Sequence, residues 1–304
     1  MDRRRFLYAS AAFTLSGSLT HLGATGIPSP ISGGRIVRNH VGVYTNRGGT
    51  MAYYLPDGAE GGVVVDTQFP EQATAFLHEV MPGRRRLDLL INTHHHGDHT
   101  GGNGIIAPLA DRYVSHDRAK TNLTVANSSR GDELPLPLPS TTFADDWSVS
   151  LPDGREIVTA RHFGPAHTGG DAVIHFENAN VVHLGDLLFN RRFPYIDPAA
   201  GGNMIHWIRV LRRIRKTYDR DTVFVFGHAA ESYAVTGDRD DVRSFQHYLE
   251  ALHAYVRRER RRGTTLAALK AKTVTIPGAP EWRYGERLRD VNLEVMWAEV
   301  GGEG

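Results

Sequence analysis

Chemistry is concentrated in one short stretch of this chain, Thr93-His94-His95-His96-Gly97-Asp98-His99-Thr100-Gly101-Gly102-Asn103. Three imidazoles adjoin, a carboxylate and a fourth imidazole follow, and a Gly-Gly turn closes the run. Neutral imidazole nitrogen and carboxylate oxygen are the ligands that zinc and similar divalent ions prefer. A segment with a purely structural duty gains nothing from such crowding. Imidazolium groups repel one another, and burying them is costly. The stretch therefore reads as a metal loop and not as a solvated polar loop. The sequence has no cysteine, which excludes thiolate ligands, disulfides and cysteine nucleophiles.

The loop follows an apolar run, Leu87-Asp88-Leu89-Leu90-Ile91, that reads as a buried strand. The same event recurs three times. An alternating run over residues 156–163 leads into Gly164-Pro165-Ala166-His167-Thr168-Gly169-Gly170-Asp171. Val181-Val182-His183-Leu184-Gly185 ends in Asp186, and the run over 221–226 ends in Gly227-His228. In layered α/β proteins, ligands gather beyond the carboxyl ends of strands. Four such endings can converge on one edge of the sheets. His116 also ends an apolar run, but no partner stands at ligand spacing, so it reads as structural.

The pattern His-x-His-x-Asp-His, here His94, His96, Asp98 and His99, resembles the signature of the metallo-β-lactamase superfamily. Alternate residues on extended backbone point the same way, so His94 and His96 can share one metal while His95 points away. Asp98 and His99 lie past the bend and can turn toward a second. The resemblance covers residues 63–228 and implies an α/β fold, a four-layer αββα sandwich with its site along one edge of two sheets. It implies that His94, His96 and His167 hold a first metal and Asp98, His99 and His228 a second. Asp186 would bridge the two, as in glyoxalase II-like members. Several β-lactamase members carry Cys or Ser there, so Asp186 leans away from them. Asp66, at the end of the run Gly62-Val63-Val64-Val65, matches a carboxylate that recurs near the metal loop; a plain turn carboxylate is the alternative reading.

The cofactor implied is a pair of zinc ions, with iron or manganese as substitutes. Two such ions about 3.5–4 Å apart can share a water and lower its pKa to about 7. Asp98 can orient that nucleophile and accept its proton. The expected enzyme is a hydrolase of a small ester, thioester, lactone or amide, β-lactams included. Other readings of the motif are a mononuclear iron enzyme resembling persulfide dioxygenases, a phosphodiesterase or nuclease, and a non-enzymatic periplasmic metal-binding protein.

The remaining sequence bounds these readings. A net charge of +1 over 304 residues provides no global field for nucleic acid or a membrane. Helices are expected over residues 70–80, 103–110, 117–127, 204–218, 240–262, 265–272 and 284–299, and strands over 35–44, 51–55 and 113–116. Leu134-Pro135-Leu136-Pro137-Leu138-Pro139 reads as an extended loop. Arg191, Arg192 and Tyr195 follow Asp186 closely; they read as contacts to an anionic substrate group or as solvated loop residues. Residues 27–304 are expected to form one domain with C-terminal helices.

Residues 1–26 read as a targeting segment. Arg3-Arg4-Arg5-Phe6-Leu7 resembles the twin-arginine export motif, and Ala24-Thr25-Gly26 offers a cleavage site. The stretch between is too short and too polar for a stable membrane span. The resemblance implies transient contact with the twin-arginine machinery and a periplasmic or otherwise exported protein. Replacing Arg3 and Arg4 together by Lys should trap precursor in the cytoplasm. Cell fractionation reads the outcome, and unchanged processed protein in the periplasm would refute the export reading.

Overall fold

The computed structural model describes residues 33–131 and 133–302. The targeting segment read in residues 1–26 lies outside them. Two sheets stack face to face. The first runs in chain order through β1 (Gly33–Arg38), β2 (Val41–Thr45), β3 (Met51–Tyr54), β4 (Val63–Val65), β5 (Leu89–Ile91), β6 (Tyr113–His116) and β7 (Thr141–Phe143). Its pairings are antiparallel as far as β4 and parallel from there to β7. The second holds β8 (Asp146–Ser150), β9 (Ile157–Arg161), β10 (Val173–Phe176), β11 (Val181–His183), β13 (Val223–Val225) and β15 (Thr236–Gly237), in the order β15-β13-β11-β10-β9-β8. A short parallel pair, β12 (Phe189–Asn190) with β14 (His228–Ala229), lies at the edge that carries the site.

Side-chain alternation explains the layers. Successive strand residues point to opposite faces. Val63, Val65, Leu89 and Ile91 therefore meet Ile174, Phe176, Val181 and Val225 between the sheets. Val64 and Leu90 face outward against Phe76 and Ala73 of α1 (Pro70–Glu79) and Ile106 of α3 (Asn103–Ile106). On the other side Val182 and Phe224 face outward against α5 (Met204–Thr217), α6 (Arg239–Arg261) and α8 (Glu286–Gly301), through Trp207, Leu211, Phe245, Leu249 and Met296. Three cores separate four layers, and the fold is the αββα sandwich. The three remaining helices are α2 (Gly97–Thr100), α4 (Asp117–Ser128) and α7 (Leu266–Lys272). No helix among the described residues is long and apolar enough to cross a membrane.

Some elements differ from the sequence reading. The strand expected over 35–44 is a hairpin, because Asn39 and His40 turn the chain at φ 44° and 65°. Two consecutive left-handed residues match the twist of the flanking strands, but without a glycine they gave no turn signal. The helix expected over 103–110 stops at Ile106 and tightens into a 3₁₀ turn, Ala107–Leu109, at Pro108.

Phe176 is fully buried between the sheets, with its ring centroid 6.4 Å from that of Tyr54. Phe176→Ala should cost about 3–5 kcal/mol through lost transfer energy and the residual cavity. Denaturant unfolding of metal-free protein measures it; a cost below 1 kcal/mol would contradict the placement of this core.

Candidate metal centre

Asp66 organises the metal loop. It ends β4 in a left-handed conformation, φ 63°, and its carboxylate faces the end of β5. There Oδ1 accepts from the Thr93 N–H at 2.8 Å and Oδ2 from the Thr93 hydroxyl at 2.7 Å. The His99 Nδ1–H donates to the same Oδ2 at 2.7 Å. The His99 carbonyl accepts from the Thr67 N–H at 2.8 Å, which anchors α2 against the end of β4. Behind this loop Asn103 donates to Asn92 at 2.9 Å and to the Tyr113 hydroxyl at 2.7 Å. These buried groups satisfy one another and leave the loop one conformation.

The partners of the imidazoles set which nitrogen of each ring is left to bind. His94 Nδ1 lies 3.0 Å from the Thr93 hydroxyl, whose proton goes to Asp66, so Nδ1 donates and Nε2 keeps its lone pair. His167 Nδ1–H donates to the Tyr195 carbonyl at 2.9 Å, which leaves Nε2 free. His99 Nδ1–H is held by Asp66. His96 is reversed: its Nε2 meets Asp197 Oδ2 at 3.1 Å, so Nδ1 faces inward. His96 Nδ1 and His167 Nε2 then stand 2.9 Å apart. Two lone pairs at that distance repel unless a cation or a proton lies between them.

Asp186 joins the two groups of ligand atoms. Oδ2 lies 3.5 Å from His167 Nε2 and 3.9 Å from His94 Nε2. Oδ1 lies 3.0 Å from His99 Nε2 and 3.4 Å from His228 Nε2. Asp98 Oδ2 completes the second group, 3.1 Å from His228 Nε2. The structure thus gathers His94, His96, His167 and Asp186 into one set and Asp98, His99 and His228 into another. His95 stands outside both, its Nε2 3.8 Å from Asp197.

Electrostatics differ between the sets. Burial strips water from His94 and His167 and holds both neutral, His167 down to about 3. Burial also opposes charge on His99 and His228, but nearby carboxylates overcome it. Asp186, Asp66 and Asp98 raise His99 well above its ordinary value, and Asp186 and Asp98 raise His228 to about 9. Burial pushes Asp98 and Asp186 up, yet the imidazoles His99 and His228 prevail and keep both carboxylates ionised.

These donors fit divalent ions. His94 Nε2, His99 Nε2 and Asp186 Oδ1 are buried without a hydrogen-bond partner. The last two approach to 3.0 Å without the alignment of a hydrogen bond, which leaves both aimed at shared space. Glycine keeps that space open: a Cβ on Gly227 would lie 2.0 Å from Asp186 Oδ1, and one on Gly49 2.2 Å from His99 Nε2.

Comparison with known proteins agrees with this geometry. The family model described as the metallo-beta-lactamase superfamily matches residues 45–228, from the end of β2 to His228. The chain belongs to that superfamily. A hydroxyacylglutathione hydrolase of Maricaulis maris is 28% identical over 254 residues, 81% of this chain and 89% of that one. The 2,4-dinitroanisole O-demethylase subunit alpha of a Nocardioides species is 30% identical over 151 residues, 48% of this chain and 44% of that one. The solved sec-alkylsulfatase Pisa1 of a Pseudomonas species superposes with TM-score 0.65 at 15% identity, covering 88% of this chain and 50% of that one. DIM-1 metallo-beta-lactamase does so with TM-score 0.56 at 14% identity, covering 73% and 99%. The structural likenesses establish the superfamily's fold.

Other expected residues divide. His116 caps α4: Nδ1 accepts from the Arg118 N–H at 3.2 Å and Nε2–H donates to the Ala144 carbonyl at 2.9 Å, so it is structural. Tyr195 stands at the centre, its ring centroid 5.3 Å from that of His96. The Arg191 guanidinium lies 4.5 Å from the Trp282 ring centroid, packed toward the C-terminal segment. Arg192 pairs through its backbone with Tyr284. The sequence reading missed Thr93, which joins Asp66 to His94. It also missed Asp171, which accepts from the Thr168 N–H at 2.8 Å and fixes the turn after His167. Thr168 and Asp171 are near in sequence and their turn was open to reading, whereas Thr93 reaches Asp66 only through the fold.

The two sets should take up ions with different proton balances. Groups raised above neutral pH hold a proton that a metal must displace; groups depressed below it do not. At pH 7 the set with His99 and His228 should release about two protons on binding, while His94 and His167 release none. Zinc titration calorimetry in buffers of contrasting ionisation enthalpy counts them. Equal release for both ions would contradict the electrostatic asymmetry.

Proposed function

We propose that this chain is an exported metal-dependent hydrolase that holds two zinc ions and cleaves a small acyl substrate: an ester, thioester, lactone or amide. The observation that carries the reading is the division of Asp186, one oxygen toward His94 and His167 and the other toward His99 and His228. A carboxylate so placed suits a bridging ligand. His94, His96 and His167 would hold the first ion, Asp98, His99 and His228 the second, and Asp186 both. The Maricaulis maris relative, matched over most of both chains, supports a hydrolytic reading and brings thioesters to the front.

When bound, paired zinc ions supply an acidified water and an electrophile for the substrate oxygen. The chain's own groups do the rest. Asp98 is kept ionised by His99 and His228 and can accept a proton from the attacking water. Its exposure, greater than that of Asp186, lets it pass that proton to solvent. Asp66 and Thr93 hold His99 and His94 at fixed tautomers throughout. Gly48 and Gly49 let the chain pass close over Asp98 and His99.

Zinc-loaded protein should hydrolyse an activated ester or thioester without oxygen. Asp98→Asn should keep some metal yet lose at least tenfold in turnover, because an amide cannot accept the proton. His228→Ala should lose mainly one of about two ions per chain. Elemental analysis and anaerobic assays measure these outcomes. One ion in wild type and the same in His228→Ala would refute the two-ion reading. Oxygen-dependent turnover with iron, beside inert zinc protein, would replace the hydrolase with an oxygenase.

A further inference from the structure

The loop after β12 does more than connect. The Tyr195 carbonyl accepts from His167 Nδ1–H at 2.9 Å, and the Asp197 N–H donates to the His167 carbonyl at 3.1 Å. The Asn203 N–H closes on the Ala166 carbonyl at 2.8 Å. A Cβ on Gly202 would lie 2.5 Å from the His167 carbonyl, so only glycine allows so close an approach. Asp197 is fixed within this stitched loop. Its Oδ1 accepts from the Ala200 N–H at 3.0 Å and its carbonyl from the Gly202 N–H at 2.8 Å. Oδ2 remains; it meets His96 Nε2 at 3.1 Å, with His95 Nε2 farther off at 3.8 Å, and these three residues form a third, more open group of possible ligand atoms.

Among the described residues the His96 ring has no other hydrogen bond outside the centre, where its Nδ1 meets His167. His94, His99 and His167 present Nε2, each with Nδ1 tied elsewhere. A neutral imidazole free in water favours neither role strongly enough to guarantee an inward Nδ1. A carboxylate on Nε2 does, because it accepts only from Nε2–H, orients the ring and makes Nδ1 a stronger donor to a metal.

We propose that Asp197 is a positioning residue for the first metal set: it fixes His96 in the Nε2–H tautomer and thereby selects Nδ1 as the ligand atom. The inference rests on the reading of His96 as a ligand. One consequence stands apart from metal, however, since the tautomer exists in the metal-free protein. Asp197→Asn is the sharpest variant. If its oxygen keeps the bond to the Ala200 N–H, its amide N–H₂ faces His96 and favours the opposite tautomer. Asp197→Ala removes the preference altogether.

The experiment is two-bond ¹H–¹⁵N correlation NMR of histidine-labelled, metal-free protein, with His96→Ala identifying the His96 signals. Zinc affinity is measured in parallel by chelator competition, and folding by circular dichroism. Wild type should show His96 as Nε2–H. Folded Asp197→Asn should show Nδ1–H or a mixture, with first-ion affinity down roughly 10–100-fold and the second ion's affinity changed far less. His96 remaining Nε2–H in both folded variants would overturn the proposal. So would loss of a third zinc, held by His95, His96 and Asp197, with the tautomer unchanged. If wild type binds no zinc while the tautomer shifts as stated, Asp197 sets the His96 tautomer but selects no ligand atom, and it is the hydrolase reading on which the proposal rests that has failed. If neither variant folds, Asp197 is a scaffold residue and the proposal is wrong.

Discussion

Several imidazole nitrogens and two carboxylates share one small buried space, and their mutual electrostatics is the constraint on which the rest depends. Lone pairs turned toward one another repel, and buried carboxylates need positive charge close by. In the metal-free protein His99 and His228 answer the second need by holding protons against Asp186 and Asp98. The first need is not answered in the same way. His94 and His167 are neutral; their inward nitrogens meet Asp186, and that of His167 also meets His96 Nδ1, without donors. A cation satisfies both demands. The groups are brought together by a scaffold of buried hydrogen bonds around them.

That scaffold explains why the fold is a sandwich and why the site lies at its rim. Inside a strand, a polar side chain must displace an apolar one from one of three cores. Beyond the strand's end it displaces nothing, and the backbone can bend toward a common point. Hydrogen bonds then fix what packing leaves free. Asp66 holds one side of the centre through Thr93 and His99. The loop from Tyr195 to Gly202 holds the other through His167 and His96.

Much of this was legible in the chain because the signals were local. A run of His and Asp inside a few residues survives any ambiguity about strand bounds, and so does a glycine followed by His228 or Asp186. The long amphipathic helices were legible for the same reason: α6 buries Val242, Phe245, Leu249, Leu252 and Val256 on one face. What escaped depends on distance in sequence. Asp197 meets a ring about a hundred residues away, and β10 stands out only once β9 and β11 pair with it. The Asn39-His40 turn escaped because a left-handed pair was made without glycine. The nitrogen that each imidazole presents is invisible to spacing alone, since it is decided by a partner elsewhere in the fold.

The asymmetry between the sets follows from the same partners. Asp66, Asp98 and Asp186 all act on His99 and overcome its burial, whereas at His94 and His167 the field of Asp186 does not. One set is therefore ready for an ion at neutral pH, and the other must first surrender protons. Falling pH then weakens the second set sooner, because protons compete there for the ligand atoms themselves. Asp98, ionised and partly exposed, belongs to that second set. The group best placed to take a proton from water thus sits beside the ion that falling pH displaces first, and the protonated His99 and His228 keep it ionised after that ion is gone.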